Sequence, residues 1–301
     1  CAFQQMDYSA QVSMKREVLL ESLHGVPGAA ENTAPVITAD SPFYFRNKMG
    51  YAFGLQDGFP VLGLHRRGDW RSVVPAEACL LQSKASNEIL TRTLDFVRQN
   101  NIPVYDDRND SGCVRHLVIR EGKHTGERMV HLHAVEAHPA FDDLPRLLDN
   151  LATTVLVSVH RNVPEDAPAE STRVLSGPGL IREQLNGFVF EIGPATFFQT
   201  NTLQAEKLFA KIMDWVGDAK VQNAVDLYAG TGPIAIHLGR VAARVFGIES
   251  NADSVRMAER NIALNNMANV KMTCAEVEAT NLSAFPAGTE LVVVDPPRPG
   301  L

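Results

Sequence analysis

From Ala224 onward, short β-branched runs alternate with segments of helical period, and this alternation admits few folds. Ala224–Leu227, Arg244–Ile248, Val270–Cys274 and Glu290–Val294 read as strands. Pro233–Leu238 reads as a helix with proline tolerated at its start, and Asp253–Asn265 as one with Val255, Ala258 and Ile262 on one face. Strands separated by helical crossovers make a parallel sheet. An α/β class is therefore expected here, a Rossmann-like sheet preceded by a mixed α+β region. The domains are expected to divide as 1–194 and 195–301.

The earlier part is more varied. Met6–Leu23 carries Val12, Leu19, Leu20 and Leu23 at helical spacing, which predicts an amphipathic helix ending near Gly25. Phe43–Leu55, Val61–Leu64, Leu117–Arg120 and Met129–Val135 read as strands, with turns at Gly68-Asp69 and Thr125-Gly126. Asn87–Val97 and Asp142–Leu151 read as helices, and Val163–Glu170 as a solvated loop. Asn201 is a helix cap, with Gln204 three residues on, for a helix running to Val216.

Composition narrows the function classes. With 45% hydrophobic and 21% charged residues among 301, the chain is neither disordered nor fibrous. No apolar run reaches the ~18–20 residues needed to span a bilayer, and four scattered cysteines make no disulfide framework. A cytoplasmic protein is expected. A net charge of −7 argues weakly against nucleic-acid binding, because a whole-chain sum can hide a basic patch. The chain opens on Cys1 and stops on a proline-rich motif, so both ends read as cut.

Ligands of a parallel sheet bind at the carboxyl ends of its strands. There the sequence places Asp226-Leu-Tyr228-Ala-Gly230-Thr-Gly232, then Glu249, Glu276 and Asp295-Pro-Pro-Arg298. Glycines let the backbone turn tightly and approach a ligand, and Glu249 can accept from ribose hydroxyls. Nicotinamide enzymes use a similar loop. Asp226 tilts the reading, since a carboxylate there repels a pyrophosphate and favours a sulfonium. Asp-Pro-Pro also suits methyl transfer, so S-adenosylmethionine is the expected cofactor and a nicotinamide the rival. The residue after Pro297 is Arg298 rather than an aromatic, which disfavours amino-group methylation of adenine.

Phe197-Phe-Gln199-Thr-Asn201, the 226–232 segment and Asp295-Pro-Pro-Arg-Pro-Gly300 occur in this order, and the chain resembles the TrmA/RumA family of RNA uracil-5-methyltransferases. Further similarity lies in the segment from Cys1 to Lys15, in Phe45-Arg46-Asn47-Lys48, in Arg115-His116-Leu-Val-Ile-Arg120 and in Thr125-Gly-Glu127. The resemblance implies a methyltransferase sheet, incomplete at its carboxyl end, with S-adenosylmethionine held at Gln199, Tyr228, Glu249 and Asp295. Gly230 and, by a looser alignment, Glu276 join them. Pro233 departs from the polar residue common in the family.

The resemblance also implies a substrate uridine in structured RNA, with Phe197 stacking on the base. Arg46, Lys48, Arg115 and Arg120 are candidate phosphate contacts. The family's nucleophile is a cysteine in Ser-Cys-Asn-Pro, followed by a glutamate base. Both are expected beyond Leu301, so the chain as given is expected to be an inactive piece of the enzyme. Cys274 reads as a small buried hydrophobe, and Cys113 sits in a turn or strand start with nothing to activate it.

Cys1 and Cys79 match two of four cysteines that hold a 4Fe-4S cluster in the ribosomal branch, so 23S rRNA is the expected substrate and tRNA the alternative. A non-catalytic module binding cofactor and RNA is a rival from another class. His131-Leu-His133, with His138 following, reads as a polar strand face able to touch RNA more readily than as a zinc site. The acidic net charge is what is expected of a chain that has lost a basic appendage of the family, the N-terminal TRAM domain, and a monomer is expected.

Overall fold

The computed structural model describes residues 3–160, 172–278 and 285–297. It divides into two compact units, Cys1–Tyr44 and Phe45–Leu301. In the first, α1 (Tyr8–Ser22) is followed by a short α2 (Ala29–Asn32), and no residue of either helix is buried. The sequence reading holds for the helix but not for its apolar face: Val18 and Leu19 are about half exposed. So short a segment encloses too little surface to build a core.

The second unit opens with an antiparallel meander of β1 (Lys48–Gln56), β2 (Phe59–Arg66) and β3 (Asp69–Pro75). After α3 (Lys84–Gln99) come β4 (Val114–Glu121) and β5 (Arg128–Ala134). A 3-10 turn, Pro139–Asp143, leads into α4 (Leu144–Leu147), then β6 (Thr154–Val159) and β7 (Thr172–Ser176). The seven strands form one sheet in the order β3-β2-β1-β4-β5-β6-β7. Ser83 caps α3 by accepting from the Ser86 amide at 3.1 Å, and Ile89, Leu90, Phe96 and Val97 pack on Tyr51, Leu117 and Leu132 of the sheet. The helix expected over 142–151 is shorter: Asp142 and Asp143 belong to the 3-10 turn and α4 ends at Leu147, with Asn150 beyond it at a φ of +63. The expected loop at Val163–Glu170 lies outside the described residues.

A hairpin unforeseen in the sequence follows, β8 (Ile181–Leu185) and β9 (Phe188–Ile192), closed by Asn186-Gly187 with both φ angles positive. Its Phe188, Phe190 and Ile192 share one apolar cluster with Met129 and Leu156 of the large sheet and with Phe209, Ile234 and Val245 beyond.

The last part follows the expected alternation. It runs α5 (Thr202–Val216), β10 (Val221–Leu227), α6 (Pro233–Leu238), β11 (Ala242–Glu249), α7 (Ala252–Leu264), β12 (Val270–Cys274) and β13 (Leu291–Val294). Asn201 caps α5, its side chain accepting from the Gln204 amide at 3.2 Å. The strands pair in parallel in the order β12-β11-β10-β13. The chain direction across the sheet reverses between β10 and β13, and at that switch point a crevice opens beyond the strand ends. Among the described residues no helix is long and apolar enough to cross a membrane.

Candidate functional site

The switch-point crevice is lined by Phe197, Phe198, Gln199, Tyr228, Gly230 and Asp295 with their neighbours. Tyr228 and Gly230 hold φ angles of +60 and +54, so the chain leaving β10 coils tightly around the crevice. A Cβ at Gly230 would meet nothing within 4 Å, which leaves room for a ligand to approach the backbone there. Pro233 also lines the crevice.

Two carboxylates hold this loop. Glu249, at the end of β11, accepts from the Gly230 amide at 2.9 Å and from the Asn251 amide at 2.8 Å. Asp226 is fully buried and accepts from the Ala235 amide at 2.9 Å, in the first turn of α6. Its expected role of facing a sulfonium directly therefore gives way to holding α6 against β10. Burial pushes its pKa up to about 8, and the charges of Asp295 and Glu249 add to the rise.

Glu276 follows β12 and does not join the crevice wall, whereas the Tyr228 hydroxyl donates to Glu278 at 2.8 Å. That hydrogen bond is the main reason the tyrosine's pKa is raised. Sequence reading missed Glu278, which carries no local signal.

Phe197 lies on the rim, 65% exposed, and also lines a second cleft of about 480 Å³ with Arg46, Lys48, Arg120 and Thr200. Asn47, also unforeseen, joins the start of β1 to this segment. Its amide nitrogen donates to the Gln199 carbonyl at 2.8 Å and to the Thr202 hydroxyl at 2.9 Å. Arg46 and Lys48 flank that junction.

The other two arginines lie elsewhere in role or place. Arg120 is buried and donates to the carbonyls of Pro194 and Thr196 at 3.1 and 2.7 Å, so its guanidinium braces the 194–196 segment. Arg115, at the opposite end of β4, sits 4.9 Å over the Tyr105 ring and 3.3 Å from Asp107. It is not gathered with Arg46 and Lys48.

The histidines do not form a surface. His131 and His133 are buried with ring centroids 4.0 Å apart, His131 against the Ser158 hydroxyl at 2.6 Å and His133 against His160 at 3.3 Å. Burial holds the pKa of His116 and His131 down to about 4, and that of His133 down to about 2. They are neutral packing groups, which removes them as RNA contacts. His138 caps the 3-10 turn, accepting from the Ala140 amide at 3.2 Å.

Cys1 lies outside the described residues. Cys79 is buried, its backbone clamped by the Asn87 side chain at 2.7 and 3.0 Å. Among the described residues no group of three or more His, Cys, Asp or Glu could hold a metal. Cys113 is buried, its thiol pushed up to about 11 by burial. Cys274 is exposed at the end of β12, contrary to the expectation of a buried residue. None of these three cysteines lines the crevice.

Residues 181–287 match the profile of the TRM5/TYW2 methyltransferase domain. An uncharacterized RNA methyltransferase of Caldanaerobacter subterraneus subsp. tengcongensis is 31% identical over the whole chain, which covers 68% of that protein. The tRNA (uracil(54)-C(5))-methyltransferase of Pyrococcus furiosus is 30% identical, again over all of this chain and 68% of its own length. The crystal structure of Pyrococcus abyssi tRNA (uracil-54, C5)-methyltransferase in complex with S-adenosyl-L-homocysteine superposes with a TM-score of 0.81 at 28% identity, covering 99% of this chain and 70% of that one. The chain thus spans about two thirds of the length of the curated relatives it matches.

Proposed function

Since the chain belongs to a family of RNA methyltransferases, we propose that it serves S-adenosylmethionine-dependent methylation of carbon 5 of a uridine in tRNA. The observation that carries this reading is the junction at Phe197. One side is the crevice lined by Gln199, Tyr228, Gly230 and Asp295, the other a cleft bearing Arg46 and Lys48.

When bound, S-adenosylmethionine supplies an activated methyl group on its sulfonium. Gln199, Tyr228 and Asp295 offer it hydrogen-bonding side chains, and Gly230 offers open backbone. Glu249 keeps the loop in place through the Gly230 amide. Phe197 provides an exposed ring on which an extruded base can stack, while Arg46 and Lys48 draw its phosphates in. Carbon 5 of uracil is a poor nucleophile until a thiolate adds to carbon 6. Cys79 and Cys113 are buried and Cys274 stands apart from the crevice, so we assign that thiolate to none of them.

The tRNA substrate is favoured over 23S rRNA because two similar proteins are named for uracil-54 of tRNA. The ribosomal reading depends on Cys1 and Cys79 as cluster ligands, and Cys1 lies outside the described residues. A cytoplasmic location accords with such a substrate.

The test is an assay of protein expressed from the complete coding sequence, with labelled S-adenosylmethionine and RNA from cells lacking the gene. Ribosomal RNA and tRNA are separated and the methylated nucleoside is identified by mass. Label as 5-methyluridine in tRNA is expected. Label in 23S rRNA overturns the substrate, and no label despite cofactor binding favours a binding module.

A further inference from the structure

Sharing no lining residue with the crevice, a cleft of about 300 Å³ opens between the β2–β3 hairpin and the 104–108 segment. Trp70 and Arg71 of β3 form one wall, Tyr105 and Arg108 the other. Trp70 is 58% exposed, and the Arg71 guanidinium lies 5.1 Å from its ring centre. Arg115 stacks on Tyr105, its guanidinium 4.9 Å from the ring centre. An exposed indole flanked by guanidinium groups is the arrangement on which unpaired bases stack while their phosphates are neutralised.

Asp106 and Asp107 also line the cleft, and the carboxylates around it are tied to partners within the protein. Asp69 accepts from the Arg71 amide and the Ser72 hydroxyl. Asp106 accepts from the Arg108 amide at 2.9 Å and from Asn109 at 2.8 Å. Asp107 pairs with Arg115, and Asp110 accepts from the Tyr105 hydroxyl at 2.6 Å.

We propose that this cleft is a second RNA-contact site, in which an unpaired nucleotide flanking the target stacks on Trp70 with its phosphates against Arg71 and Arg108. The inference rests on the RNA-modifying reading above. Its position supports the role: β1 has Lys48 in the basic cleft and Leu55 in this one. Seven residues of strand separate them, roughly 24 Å at ~3.4 Å per residue. One RNA segment of a few nucleotides reaches from one cleft to the other.

The chain has two tryptophans, Trp70 and Trp215, so Trp215→Phe leaves Trp70 as the only indole. Titration of that variant with a single-stranded RNA oligonucleotide is expected to quench its fluorescence saturably. Trp70→Ala is expected to weaken tRNA binding about fivefold or more, with binding of S-adenosylhomocysteine unchanged. Arg108→Glu, a surface change that leaves the fold alone, is expected to weaken it too and to lower the salt slope by about one. Unmoved fluorescence with wild-type RNA affinity in both variants overturns the proposal, and is the outcome expected if the cleft serves a protein instead. Because the readout is binding, it is decided separately from methyl transfer. Quenching without any methylated nucleoside would overturn the enzymatic reading and leave this site standing.

Discussion

Glu249 closes the loop that follows β10 by accepting the amide of Gly230 at 2.9 Å, from the end of the neighbouring strand. One carboxylate thereby sets the shape of a glycine turn nineteen residues earlier in the chain. Its other oxygen caps the turn into α7 through Asn251. Replacing Glu249 by alanine removes two charge-assisted hydrogen bonds, each of about 1.5–3 kcal/mol. The expected outcome is a lower Tm together with at least tenfold weaker S-adenosylhomocysteine binding, measured by calorimetric titration. Loss of binding with Tm unchanged would point to direct ligand contact alone.

Phe197 belongs to both clefts and is largely exposed, so it contributes little to the core. Phe197→Ala is expected to cost about 1–3 kcal/mol of RNA affinity, the usual worth of one stacked base. Stability is expected to stay near wild type. Filter binding to tRNA beside a melting curve separates the two effects.

Arg120 makes the contrasting case. Its buried guanidinium satisfies the carbonyls of Pro194 and Thr196. Arg120→Met leaves these acceptors without their charged donor, and a loss of about 2–4 kcal/mol in urea unfolding is expected. A variant as stable as wild type would show that the arginine is not a brace.

Acid is expected to unfold the protein through its histidines. Burial holds His116 and His131 near a pKa of about 4 and His133 near about 2, whereas each is about 6.5 when unfolded. Below the unfolded value the unfolded chain binds more protons, so stability falls as pH drops from about 6.5 towards 4. Asp226 works in the opposite sense, since its folded pKa of about 8 lies above 3.8, and its contribution is lost as pH rises through about 8. Urea midpoints between pH 4 and 7 are expected to decline on the acid side. His133→Leu is expected to flatten that decline, and an unchanged slope would contradict the assignment.

The methyltransferase half was legible because its signals are local. Pro233–Leu238 and Val270–Cys274 are found as expected, and Gln199, Tyr228, Gly230 and Asp295 converge on one crevice although they are far apart in sequence. Less could be read upstream. The run Thr154–Val159 is buried without alternation, and period alone cannot distinguish such a strand from a piece of helix. The β8–β9 hairpin carries one local sign, Asn186-Gly187, between its two short strands. Asn47 stands in the Phe45–Lys48 motif, but its bracing role could not be read, since its partners Gln199 and Thr202 lie 152 and 155 residues away. Arg120, His131 and His133 misled because residue type speaks for the surface and only the folded sheet buries them.

The central claim is that the switch-point crevice holds S-adenosylmethionine, and calorimetric titration with S-adenosylhomocysteine tests it most directly. Wild-type protein is expected to bind one equivalent and to ignore NADH. Gln199→Ala and Asp295→Ala, with melting curves like wild type, are expected to bind at least tenfold more weakly. Tight binding retained in both variants, or heat from NADH and none from S-adenosylhomocysteine, would contradict the account.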